Sequence, residues 1–156
     1  MFALPIAASA ALVLAADVPQ TAGSTGGATS PAKSTADLTV SVSGFRNDKG
    51  IMQYCIAPAG AAFPKCAGVG VLTGSEAIIG HTAAFVVHDL PKGNYAIAVY
   101  HDQNRSRRLD TVMGIPREGY GFSRNPPFKP RAPSFNEAVI NLDQNTNIKI
   151  RMRYLF

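Results

Sequence analysis

Between Asn147 and Tyr154 the side chains alternate without interruption, Ile148, Ile150, Met152 and Tyr154 against Lys149, Arg151 and Arg153. Apolar residues at every second position share one face only when the backbone is extended, so the run predicts a strand buried on one side. The same period sets Leu38, Val40 and Val42 against Thr39, Ser41 and Ser43, and Tyr95, Ile97 and Val99 against Ala96, Ala98 and Tyr100. Ile51 to Ile56, Ala83 to Val87 and Ala138 to Leu142 are further β-rich runs. No stretch carries a helical apolar stripe, and Val69 to Ile79 fits a short helix or a strand. Asn47-Asp48-Lys49-Gly50 is expected to close a first hairpin onto Ile51 to Ile56. Asp89 to Asn94, with Pro91 and Gly93, is read as a turn, and so is Asp143 to Asn147. Short strands between Gly/Pro turns predict an all-β chain, an antiparallel β-sandwich of about seven strands. Gln103 to Ser134 breaks the pattern with five prolines, at 116, 126, 127, 130 and 133. It is expected to be one long loop, and long loops on rigid scaffolds often carry function.

The N-terminal composition is of another kind. Residues 1–16, MFALPIAASAALVLAA, hold no charged side chain and are shorter than the roughly 20 residues of a bilayer span. They are read as a signal peptide, with small residues near the expected cleavage site and no transmembrane segment left in the mature form. Residues 17–36 are Gly-, Ser-, Thr- and Ala-rich and too poor in apolar side chains to fold alone, so a flexible linker is expected there. Residues 37–156 are the length of one domain with a single core. Cys55 and Cys66 are the only cysteines. In an oxidising compartment they read as a disulfide closing a short Pro/Gly-rich loop, because two cysteines alone make a poor metal site and redox pairs are usually Cys-x-x-Cys. A periplasmic or secreted protein is expected.

The densest motif is His101 to Ser123, HDQNRSRRLDTVMGIPREGYGFS, preceded by Leu90-Pro91-Lys92-Gly93-Asn94-Tyr95. Together they resemble a bacterial family of unknown function numbered 2141, over roughly Leu38 to Tyr154. The resemblance implies an exported protein with an immunoglobulin-like or transthyretin-like sandwich, and implies no activity. Members typically carry Asn-Gly-Asn-Gly where this chain has Asn104-Arg105-Ser106-Arg107.

Three chemistries compete within the motif. Asp102, Asn104, Ser106 and Asp110 stand at relative positions one, three, five and nine, a spacing at which oxygen ligands converge on calcium. Arg107 replaces the glycine of such loops and Met113 their acidic twelfth ligand, so an Asx-stabilised turn is the favoured reading. His101, Asp102 and Glu118 are the candidates for general acid–base work. Adjacent strand residues face opposite ways, no nucleophile motif is present, and a structural histidine is expected instead. Charge supplies the third. Gln103 to Arg131 holds seven basic residues against Asp110 and Glu118, an excess equal to the whole formal net charge of +5. Arg105, Arg107, Arg108, Arg117, Tyr120 and Arg124 are therefore the ligand-binding candidates, with Lys129, Arg131, Phe122 and Phe128 on the same segment. Their expected partner is an anionic envelope component such as a polyanion, a phosphorylated head group or an acidic sugar. A solvated loop with local ion pairs is the competing account. No cofactor is expected, Gly119-Tyr120-Gly121 lacking a phosphate loop's Lys and helix, and no nucleic acid is expected of an exported protein. The leading function is a non-catalytic, exported binding or structural protein. The alternative is an envelope-polymer hydrolase using His101, Asp102 and Glu118.

Overall fold

The computed structural model describes residues 34–156. The expected signal peptide, 1–16, and nearly all of the expected linker, 17–36, lie outside the described residues. The first strand starts at Thr35, two residues inside the stretch read as linker.

Ten strands and one helical turn follow. They are β1 (Thr35–Ser43), β2 (Ile51–Pro58), β3 (Leu72–Glu76), β4 (Thr82–Pro91), β5 (Gly93–Asp102), β6 (Thr111–Val112), β7 (Ile115–Pro116), β8 (Tyr120–Phe122), α1 (Phe135–Ala138), β9 (Val139–Leu142) and β10 (Thr146–Arg151). One sheet runs β10-β1-β4; the other runs β3-β2-β5-β8, with β9 also paired to β5. Seven of the strands are four residues or longer. The chain is an all-β sandwich, and its alternating residues explain why. Leu38, Val40, Val42, Phe85 and Ile150 from one sheet meet Met52, Ile56, Ile97 and Val99 from the other in a single buried cluster. Tyr54 stacks on Phe85 across the interior with ring centroids 3.8 Å apart.

Pairing departs from the sequence reading in two places. β1 pairs β10 in parallel, Val40 opposite Ile148, so the sandwich is not wholly antiparallel. The turn at Asn47–Gly50 closes no hairpin: β1 lies in one sheet and β2 in the other. The turns after β4 and β9 cross between sheets in the same way. Period two tells which face a strand buries, and it says nothing about which neighbour takes its hydrogen bonds. Two facing apolar strands satisfy the pattern as well as two paired ones. Finally, Gln103 to Ser134 is more than a loop. It holds the small β6–β7 hairpin and β8, which pairs β5 from Ala98–Phe122 to Tyr100–Tyr120. The segment Val69 to Ile79 contributes a strand, β3.

Candidate functional site

Strand β5 ends at the two residues on which the acid–base reading rests, and both are fully buried. The His101 ring packs edge-on to Phe45 and Tyr154. Its Nε2 lies 2.7 Å from the Lys49 carbonyl and its Nδ1 lies 2.8 Å from the Tyr154 hydroxyl. A carbonyl only accepts, so Nε2 carries a proton, and Nδ1 accepts from Tyr154 in the neutral ring. The Tyr154 hydroxyl in turn accepts the Arg46 N–H at 2.9 Å, and the Arg46 guanidinium lies over its ring. Burial pushes the Tyr154 hydroxyl pKa up. The histidine therefore ties the β1–β2 connection to the C-terminal residues, with both ring nitrogens engaged.

Asp102 points the other way and pins the loop. Its Oδ1 accepts the Ser106 N–H at 2.8 Å, while Oδ2 accepts the Arg107 N–H at 2.9 Å and the Gln53 amide at 3.2 Å. Asn104 Oδ1 accepts the Ser106 N–H as well, and its amide donates to Asp110. This is an Asx-type turn built from the residues whose spacing suggested a calcium loop, and its oxygens are turned onto backbone N–H groups. Among the described residues no three His, Cys, Asp or Glu side chains are gathered as a metal cluster. Glu118, also buried, accepts the Gln103 N–H at 3.0 Å and the Asp110 N–H at 3.1 Å, closing the loop's base. None of His101, Asp102 and Glu118 lines the groove beside them, and each bonds backbone groups instead. Each is a fastening.

The small residues at the end of the motif serve packing. A Cβ at Gly119 would strike the Tyr154 ring, and one at Gly121 would strike Ile150. Ser123 is fully buried, accepts the Ile97 N–H at 2.9 Å and donates to the Ala138 carbonyl.

What these fastenings hold up is a groove of about 920 Å³ over the outer face of the β3-β2-β5-β8 sheet. The register lays Gln53, Tyr100 and Tyr120 in one row across its floor, and Cys55, Ala98 and Phe122 in the next. One wall is the disulfide loop at Pro64, Lys65 and Cys66; a second is Arg107 to Leu109 with the β6–β7 hairpin; Phe128 to Ala132 forms the third. The Cys55–Cys66 disulfide ties the first wall to the floor.

Five cations line the groove, Lys65, Arg107, Arg108, Lys129 and Arg131, and no Asp or Glu does. Lys129 and Arg131 pair with Glu137, which caps the α1 turn by accepting the Ser134 N–H at 2.8 Å. Arg131, then Lys129 and the Ser134 backbone, hold the Glu137 carboxyl well below the ordinary carboxylate range. Lys65, Arg107 and Arg108 have no carboxylate within salt-bridge distance among the described residues. Burial first, then the negative charges of Asp102 and Glu118, push Tyr100 up to about 12, so it is a neutral donor on the floor. Of the sequence candidates, Arg107, Arg108 and Tyr120 line the groove, while Arg105, Arg117 and Arg124 stand exposed outside it.

Lys65, Gln53, Ala98 and Tyr100 were missed. A signal for Ala98 and Tyr100 existed in β5, where Ala96, Ala98 and Tyr100 leave the outward face nearly as apolar as the inward one. A strand apolar on both faces is covered on both.

The family model described as "Uncharacterized protein conserved in bacteria (DUF2141)" matches residues 40–150. No curated protein and no solved structure matches the chain.

Proposed function

The chain belongs to the bacterial DUF2141 family, and from that premise we propose that it is an exported, non-catalytic binding protein whose groove takes an anionic amphiphile. The carrying observation is the contrast inside the groove: an aromatic and apolar floor, five cations around it and no acidic side chain. Ligand sites are concave and mostly apolar, with a few polar groups that fix orientation, and this groove has that make-up. An apolar or aromatic body lies over Ala98, Phe122 and Phe128, and its carboxylate or phosphate meets Arg107, Arg108 and Lys65. The hydroxyls of Tyr100 and Tyr120 have no protein hydrogen-bond partner among the described residues and are free to bond a ligand's polar atoms. Nothing in the geometry favours the hydrolase alternative, since none of its three residues lines the groove.

Export is supported by the disulfide and by the apolar residues 1–16. Intact mass of the protein from an exporting host tests it, and a chain still beginning at Met1 would count against cleavage.

Calorimetric titration with decyl phosphate below its micelle concentration tests the groove, with decanol as the uncharged control. One molecule of decyl phosphate should bind, and decanol should bind about tenfold more weakly or worse. Replacing Lys65 and Arg108 together by Ser should weaken the phosphate and leave decanol unchanged. Ala98→Leu, which fills the floor without touching the core, should weaken both. Equal affinity for the two ligands, or indifference to Ala98→Leu, would sink this reading.

A further inference from the structure

The β6–β7 hairpin carries an arrangement that the fold itself does not use. Its two strands pair only with each other. Its tip exposes Val112 at 45 %, Met113 at 97 % and Ile115 at 45 %. The loop that bears it adds Arg105, Arg107, Arg108 and Arg117, all exposed, while its two acidic residues are occupied, Glu118 by backbone N–H groups and Asp110 by the Asn104 amide.

The backbone makes the choice of side chains more telling. The two-residue turn Met113-Gly114 has positive φ at both positions, 51° and 78°, the geometry for which Asn-Gly is the favoured pair. Arg105 and Arg107 also sit in the left-handed region, at 58° and 62°. Three exposed residues thus take a conformation that suits Gly or Asn, and none of their side chains has an ion-pair partner among the described residues. Strain kept at exposed positions, without structural return, points to a role for the side chains outside the fold.

We propose that this hairpin is a membrane-docking tip: Val112, Met113 and Ile115 enter the interface of a bilayer, and the surrounding arginines bind its anionic head groups. Charge complementarity selects the occupant. An apolar tip alone would suit many partners, but an apolar tip on a segment with four exposed arginines against two hydrogen-bonded carboxylates matches a surface that is apolar within and anionic at its face. Docking in this way sets one wall of the groove against lipid, although it does not depend on the groove being occupied.

Vesicle co-sedimentation of the full chain tests the tip, because every variant shares the same N-terminal residues. Phosphatidylglycerol-containing vesicles should bind about tenfold more protein than pure phosphatidylcholine, and the difference should shrink as salt is raised. Met113→Asn, which the turn accommodates, should remove most of that difference, and so should Arg105→Ser with Arg117→Ser, two residues outside the groove. All these variants should still bind decyl phosphate in solution, whereas Ala98→Leu should bind vesicles normally. Equal binding to both vesicle types, or Met113→Asn binding like the parent, would overturn the proposal. Loss of vesicle binding in Ala98→Leu would assign lipid capture to the groove instead. A dimer that dissociates in Met113→Asn would make the tip a contact between copies of the chain and overturn it equally.

Discussion

Tyr154 is one of the side chains on which the C-terminal residues depend. Its hydroxyl joins the Arg46 N–H to His101 Nδ1, so Tyr154→Phe strands a buried acceptor and frees a backbone donor. Unfolding by urea should register a loss of about 1–3 kcal/mol, the cost of an unsatisfied buried polar group. Glu118→Ala should behave similarly and should speed hydrogen exchange at Gln103 and Asp110, the two amides it accepts. Acid should act through the exposed carboxylates. The backbone N–H groups of His81, then Gly80, hold the Asp48 carboxyl below its ordinary value, and the Asp89 N–H, then His88, do the same for Asp37. A carboxyl lowered in the folded state contributes stability above its unfolded pKa and loses it as pH falls through the folded one. Urea midpoints should therefore drop as pH falls below about 4. Asp48→Asn should start lower and lose less over that range.

Elements add constraints that no single residue shows. The β6–β7 turn places Met113 where Asn is preferred, so Met113→Asn should stabilise the hairpin by about 1 kcal/mol. Slower hydrogen exchange at Val112 and Ile115 would register the gain, and unchanged exchange would mean the turn carries no strain. The disulfide loop forms another wall of the groove, with 11 residues of separation between Cys55 and Cys66. Replacing both cysteines by Ser should cost about 3 kcal/mol by chain-entropy reasoning. It should also weaken decyl phosphate binding, because Lys65 is then no longer held beside the floor. Equal affinity in the double variant would separate this loop from the site.

The whole molecule divides its residues between two jobs, and β5 shows the division side by side. Ile97 is fully buried in the core, whereas Ala98, its neighbour, faces the groove. Ile97→Ala should cost about 2–5 kcal/mol in urea unfolding. Ala98→Leu should leave stability nearly unchanged while blocking the groove. The opposite order would mean that the outer face is packed and the inner one tolerant. Much of this was legible from residues alone: the strands at Leu38, Tyr95 and Ile148, the all-β class, the cysteine pairing and the basic loop. Those are local properties, because side-chain period, turn chemistry and charge are written within a few neighbouring positions. Strand partners were not legible. The Asn47–Gly50 turn looks the same whether it closes a hairpin or carries the chain across the core, and the parallel β1–β10 pair joins residues more than a hundred positions apart. The residues from Asp102 to Glu118 favoured a turn and a structural histidine while leaving an ion site and an acid–base site open, and tertiary structure turned the loop's oxygens onto backbone amides. The groove exists only where β2, β5 and β8 lie side by side and three distant loops rise around them. No window of sequence contains it, and only the packed sheet brings Lys65, Tyr100 and Arg108 to one surface.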